Sequence, residues 1–443
     1  MGTANLILGD CIERMRDLPA NSIDAVITDP PYFMGSIVKR FGSPDAAEAQ
    51  YGTDGSFQRL GRGFMGKTWD GFTDLYEFQA WNKKWATEAL RVLKPGGFMF
   101  AMGGTRTHHR LTCGIEDAGF MIRDELCWVY MQGFPKAQDL GMLIEKKLGG
   151  EGEIIGKKEG VGSKTGETYS KNGGFKEGEI ENKLPTLPLA KEWQGWKTPA
   201  LKPAFEPIVV AQKPCEGSIT ENVMKHGVGG YDIDECRIAY EPQESPQELI
   251  GGRNKHGRGE GYGFEPQGEN AFANEKGRYP SNLLMQEECF GRLSKFFLIP
   301  KASKGEKEEN LEDFEVNEIY RKSTAAFGNS NPTCKKYKGE KFPRKLEDKD
   351  TTCRCEHPDW NEPKNIPSAN IHPTVKPVAL MQHLIKLTTK PKYTVLDPFL
   401  GSGTTAVAAL QLNRNVIGIE ISEEYMKIAK ARIAEEAKQT RLL

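Results

Sequence analysis

The stretch "SIDAVITDPPYFMGS", residues 22–36, limits what this chain can fold into more than any other. Ile23, Ala25, Val26 and Ile27 form an apolar run of strand length, and Asp29-Pro30-Pro31 closes it. Proline has no amide donor for a ladder and fixes its own φ, so the strand must end at Asp29. A buried strand thus delivers to its exit a carboxylate, two rigid carbonyls and the ring of Tyr32.

Around this strand the chain alternates β-rich runs with helical periodicity, the pattern of βα units and a parallel sheet. "NLILGD" and "FMFAMGG" predict further strands, as does "ELCWVYM" at 125–131. "LYEFQAWNKKWATEALRVL" predicts a helix that "KPGG" stops, and a second helix follows near "HHRLTCGIEDAG". From about 135 to 369 the texture changes to Gly, Lys, Glu and Asn in turn-prone stretches, interrupted by one apolar strand, "FEPIVVA", at 205–211. The last part is α/β again: helix "VALMQHLIKLTT", strand "YTVLDPF", a Gly-rich turn and helix, strand "NVIGIEIS", and a closing helix from Glu423. The expected division is 1–134, 135–369 and 370–443.

A second motif, "VLDPFLGSGTTAVAAL" at 395–410, repeats the theme of a strand ending in Asp-Pro. Gly401 and Gly403 let the backbone turn tightly and approach a ligand, with the following helix N-terminus offering free amides. Glu420 follows Gly401 by nineteen residues at the end of the next predicted strand, where an acid can hold two ribose hydroxyls. A phosphate-cradling loop would want Lys where Thr404 stands, and a dinucleotide fingerprint lacks its third glycine. A small adenosine-bearing cofactor fits best; a tight βα turn without a ligand is the alternative.

"DPPY" also has a plain reading, since Asp-Pro-Pro is turn chemistry. Its chemical reading is more specific. The amino group of adenine or cytosine is a poor nucleophile because its lone pair is delocalised into the ring. A carboxylate and a fixed carbonyl that each accept one of its hydrogens draw the nitrogen toward tetrahedral geometry, while an aromatic face receives the base.

Together, "DPPY" and "DPFLGSGTT" resemble the amino-methyltransferases that methylate exocyclic amines of DNA bases with S-adenosylmethionine. The order, "DPPY" first and the Gly-rich turn last, is similar to the beta group of that family, and in particular to bacterial and phage site-specific adenine methyltransferases. "LILGDC", "RVLKPGG", "WKTPALKPAFEPIVVAQKP", "YDIDECRI", "GRYPSNLL" and "HPTVKP" add to the likeness. The resemblance implies a catalytic loop of Asp29, Pro30, Pro31 and Tyr32. It implies that Asp397, Phe399, Gly401, Gly403 and Thr404 lie around the methionine part of the cofactor, with Glu420 on the ribose and Asp10, ending the first strand, at the adenine. His372, Pro373, Thr374 and Lys376 would close over the cofactor's carboxylate end.

The implied fold is a doubly wound, Rossmann-like α/β sheet of the S-adenosylmethionine-dependent methyltransferase type. It is circularly ordered in sequence and carries an inserted target-recognition region. The implied partner is double-stranded DNA with a flipped target base; a homodimer and a cognate restriction nuclease stay open. The alternatives to adenine are the 4-amino group of cytosine, an RNA or protein substrate, and a non-catalytic DNA-binding partner that retains the fold.

Charge does not decide the partner: 60 basic and 61 acidic residues leave a net charge of −1, so a DNA binder needs a local basic face. "CKKYKGEKFPRK", 334–345, supplies six basic residues around two aromatics, suited to phosphate contacts or simply to a solvated loop. No metal is expected: Cys334, Cys353, Cys355 and His357 could ligate zinc, but a CxC with one distant Cys is poorly spaced compared with paired CxxC knuckles. Nine scattered cysteines suit reduced thiols, and no apolar run reaches the ~20 residues of a membrane span. The start "MGTANLILGD" does not read as a secretory signal, so the expected location is cytoplasmic.

Overall fold

The computed structural model describes residues 2–33, 72–130, 137–161, 177–239, 276–285 and 375–439. Eight strands form one sheet. From the N-terminal part come β1 (Ala4–Leu8), β2 (Ile23–Thr28), β3 (Leu93–Met102) and β4 (Met121–Val129). A separate antiparallel pair, β5 (Glu153–Val161) and β6 (Glu177–Leu184), follows. The main sheet is completed by β7 (Phe205–Gln212), β8 (Leu283–Met285), β9 (Thr394–Asp397) and β10 (Asn415–Glu420), in the spatial order β1-β10-β9-β2-β3-β7-β4-β8. Neighbours pair in parallel except β7, which is antiparallel to both β3 and β4.

Nine helices connect the strands in the described residues. In chain order they are α1 (Cys11–Arg16), α2 (Leu75–Val92), α3 (His108–Asp117), α4 (Leu140–Lys147), α5 (Pro188–Glu192), α6 (Ile219–His226), α7 (Val378–Thr388), α8 (Thr404–Gln411) and α9 (Glu423–Gln439). Helices cover both faces of the sheet, which is why β2 reads as a continuous apolar run and is buried at every residue. Successive residues point to opposite faces. Val26 and Leu396 meet Phe78 and Trp85 of α2, while Ile27 and Val395 pack in the other core cluster with Leu384 and Ile385 of α7.

The sheet is circularly ordered, as the motif order implies. β1 lies on β10 with Ile7 opposite Ile419, and β2 lies on β9 with Val26 opposite Leu396. From β9 the chain winds outward to β10, and from β2 it winds the other way to β3. The β9/β2 boundary is therefore the switch point, where two adjacent strand exits leave a crevice.

Three local expectations need correction. β4 begins at Met121, before "ELCWVYM". The sheet is mixed rather than wholly parallel, because "FEPIVVA" enters it reversed. The helix does stop just before "KPGG", at Val92, but β3 starts at Leu93, directly after α2 and well before "FMFAMGG". The glycines form a bulge, and the register jumps from Ile23 opposite Leu93 to Ala25 opposite Phe98. Gly96 has φ +77°, and Lys94 reaches the buried Asp24 carboxylate of β2 at 2.6 Å.

Candidate active site

Asp29 stands one residue past β2, at the carboxyl edge of the sheet, and two polar groups converge on it, both tied to a third. The Tyr32 hydroxyl lies 2.6 Å from Asp29 Oδ1, and Lys376 Nζ donates to Asp29 Oδ2 at 2.5 Å. Glu206, near the start of β7, places its Oε2 3.0 Å from the Tyr32 hydroxyl and 3.3 Å from Lys376 Nζ. Lys376 Nζ also reaches the Tyr32 oxygen at 3.2 Å. Its side chain is 6% exposed, against 18% for Asp29 and 21% for Glu206.

This composition fixes protonation. Burial would lower the Lys376 ammonium, but the Asp29 and Glu206 charges reverse that and raise it, so it stays charged. Burial, then Asp29 and Glu206, push the Tyr32 phenol well above its ordinary value, so it stays neutral and donates. Two carboxylates thus share one ammonium and one phenol.

The backbone around Tyr32 is held from two sides. Thr107 Oγ1 donates to the Tyr32 carbonyl at 2.5 Å. Gly104, just past β3, lies against the ring: a Cβ there would come 3.2 Å from Tyr32 Cδ2. Phe33 then takes a left-handed φ of +48° and buries its ring against Phe72 and Phe78. A bulky residue adopts that conformation only where its surroundings impose it.

The neighbouring exit, from β9, is built differently. Asp397 is buried and accepts from Thr28 Oγ1 at 2.7 Å and from the Phe399 amide at 3.0 Å. One carboxylate therefore ties the residue before Asp29 to the start of the Gly-rich turn. Burial pushes Asp397 up to about 6, against the opposing hydrogen bonds of Thr405 and Thr28. Glu420 accepts from the Gly401 amide and from the Ser422 amide, each at 2.8 Å, so it fixes the turn as well as facing it. Gly401 and Gly403 have φ of +56° and +87°.

Several expected placements change in detail. A Cβ on Gly403 would come 3.0 Å from the Cα and Cβ of Ala429 in α9, so this glycine permits close helix packing. Thr404 Oγ1 accepts from the buried Arg432 of α9 at 3.0 Å, and the same guanidinium donates to the Ser402 carbonyl at 2.8 Å. Phe399 is half-buried with its ring 5.6 Å from Trp81 and 5.4 Å from Trp85. Asp10 does not end β1; it caps α1, accepting from the Ile12 and Glu13 amides. Lys376 donates to Asp29, where the resemblance implies a place over the cofactor's carboxylate end. His372, Pro373, Thr374, the "CKKYKGEKFPRK" segment and the zinc set Cys334, Cys353, Cys355 and His357 lie outside the described residues. No cluster of three metal-ligating side chains occurs among the described residues.

The sequence reading missed Glu206, Thr28 and Arg432. Glu206 had a usable signal. An acid at the start of an antiparallel strand reaches the same sheet edge as acids at the ends of parallel ones, once the reversal of "FEPIVVA" is known. Arg432 had none, being one basic residue in a helix that carries several.

The DNA methylase family N6_N4_Mtase matches residues 23–431. Over 432 residues the chain is 23% identical to the type II methyltransferase M.HindIII of Haemophilus influenzae, covering 96% of this chain and 93% of that protein. Over 65 residues it is 49% identical to M2.LlaDCHI, a type II methyltransferase of Lactococcus lactis, covering 15% of this chain and 24% of that one. Among solved structures, the PvuII DNA methyltransferase (cytosine-N4-specific) aligns with a TM-score of 0.43 and 14% identity, over 100% of this chain and 92% of that one. The match of the family across both strand exits and everything between them places the chain: it belongs to the N6/N4 DNA methylase family.

Proposed function

We propose that this DNA methyltransferase transfers a methyl group from S-adenosylmethionine to the 6-amino group of adenine at a specific DNA site. The observation that carries the reading is the Thr28–Asp397 bond of 2.7 Å, which locks the Asp29 exit beside the Gly-rich exit at the switch point. A base amine held at Asp29 and a donor held at the turn would then meet across one crevice.

The residues fit such a donor. The turn opens α8 by its N-terminus, and Glu420 stands at the end of the adjacent strand with its plane fixed by two amides. When bound, the donor supplies an electrophilic methyl on a sulfonium, a good leaving group. The chain's own residues do the rest. Asp29 and the Pro30 carbonyl accept the two amine hydrogens and turn the nitrogen lone pair toward the methyl, while Tyr32 receives the flipped base. As the N–C bond forms and the methyl–sulfur bond breaks, the amine becomes cationic, and its extra proton passes to Asp29 or to water.

Residues 135–369 would carry target recognition, between catalytic parts at 1–134 and 370–443. A cognate restriction nuclease is a further proposed companion, in keeping with relatives named type II methyltransferases. No helix among the described residues is long and apolar enough to cross a membrane. The test is sequencing of modified bases in DNA from cells that express the protein. N6-methyladenine at one recurrent motif is expected; 4-methylcytosine there would move the target to cytosine, and unmodified DNA would overturn the reading.

A further inference from the structure

The cluster at Asp29 contains more than a base-orienting loop requires. We propose that Lys376 and Glu206 are positioning residues for methyl transfer. Lys376 holds the Asp29 carboxylate, and Glu206 holds Lys376 and the Tyr32 hydroxyl, in the arrangement that receives the target amine. The inference rests on the amino-methyltransfer reading above and extends it to two residues on separate segments.

The geometry argues for a shared charge rather than an isolated ion pair. Lys376 Nζ is within 3.3 Å of an oxygen of Asp29, Tyr32 and Glu206 alike, and it is almost completely buried. The Tyr32 hydroxyl has a single hydrogen but lies 2.6 Å from Asp29 and 3.0 Å from Glu206. It can therefore turn from one carboxylate to the other. When a base amine donates to Asp29, Glu206 remains as acceptor for both Tyr32 and Lys376, so neither donor is left unsatisfied in a buried place. Asp29 alone, or Asp29 with Lys376 alone, lacks that second acceptor.

The charge count gives the same roles. Asp29 and Glu206 oppose one ammonium. The other titratable groups that face them are neutral Tyr32; Tyr130, pushed up to about 12 by burial and then by Glu206; and Asp397 behind Asp29. Removing the ammonium leaves two partly buried carboxylates together, a situation in which one keeps a proton. A protonated Asp29 presents a hydroxyl to the amine instead of two acceptor oxygens.

The test is single-turnover methyl transfer to DNA at saturating S-adenosylmethionine, measured against pH, with donor binding by calorimetry and thermal melting alongside. Lys376→Met should lower the rate at neutral pH by about 10²-fold. It should also move the acid limb of the profile upward by about one pH unit or more, with donor affinity unchanged. Glu206→Gln should slow the same step by about tenfold without moving that limb upward. The double variant should bring the limb back toward wild type, because only one carboxylate then remains. Lys376→Arg, which keeps the charge, should keep the wild-type profile; if Lys376→Met does not fold, the Glu206→Gln rate decides the matter, and an unslowed step there overturns the proposal. Loss of donor affinity in Lys376→Met with a normal saturated rate would assign Lys376 to the cofactor and overturn the proposal. So would an unmoved pH profile in a folded Lys376→Met protein. A wild-type protein that methylates no DNA would instead sink the underlying function.

Discussion

Two strand exits lie side by side in this molecule, both spelled Asp-Pro, and they are stabilised in opposite ways. Past β2, Asp29 is held by Tyr32 and Lys376, both of which also reach Glu206, so their hydrogen bonds can redistribute between the two carboxylates. Past β9, the turn is held by backbone and packing: the Gly401 amide on Glu420, Gly403 against Ala429, and Arg432 on the Ser402 carbonyl. A surface that binds one unchanging donor benefits from a rigid outline. A surface that must accept a base, orient its amine and handle a proton needs groups that can exchange partners.

The contrast can be broken most decisively at Asp29. Asp29→Ala should reduce single-turnover methyl transfer by about 10²–10³-fold while calorimetry shows unchanged S-adenosylmethionine binding. Equal losses in both would mean that the two exits are not functionally separate.

The next largest effect lies at Asp397, in the hinge between the exits. Its folded value of about 6 stands above the ordinary 3.8, so the folded form holds the proton more tightly. Its stabilisation is complete below the unfolded value and is lost as pH rises from about 4 to about 6, amounting to about 3 kcal/mol. Asp397→Asn should remove that slope, and denaturant melts of the two proteins across the window measure it. Parallel curves would show that Asp397 titrates normally.

A smaller change sharpens the chemical side. Tyr32→Ala should weaken capture of the flipped base by about 1–3 kcal/mol, read as weaker binding to DNA with an abasic site opposite the target. Donor affinity should not change.

The smallest expected effect is on the rigid side. Gly403→Ala forces a Cβ into 3.0 Å contact with Ala429 at a left-handed φ, a cost of about 1–2 kcal/mol of stability. Thermal melting should fall first and donor affinity only as the turn shifts. Lost affinity in a fully stable variant would restore a direct ligand contact at this glycine.

The α/β class and the circular order were legible because both exits carry Asp-Pro at the end of apolar runs, and periodicity separates helix from strand. The helix stop before "KPGG" was legible, but the start of β3 at Leu93 was not, because Pro and Gly inside a strand mark a bulge that only pairing with β2 reveals. Asp29, Tyr32 and Glu420 announce themselves by position at strand ends. Lys376 was visible as part of "HPTVKP", yet its partner was not, since its bond to Asp29 spans 347 residues of chain. Glu206 required the direction of β7, a tertiary fact. The packing role of Gly403 required α9 to be in place.

The reversal of β7 has an architectural consequence. Val129, the last residue of β4, lies opposite Phe205, the first of β7, so the chain leaves and re-enters the sheet through one hydrogen-bonded seam. Whatever is strung between those two residues begins and ends at the same spot. A flexible insert at such a seam would add only about 0.6 kcal/mol of closure entropy for each doubling of its length. The seam is a natural graft point at which one cassette could be exchanged for another while the sheet stays intact. It also marks the limit of such an exchange: one residue inside it is Glu206, so a graft boundary set at 204 keeps the Glu206 contacts to Tyr32 and Lys376 and one set at 207 does not.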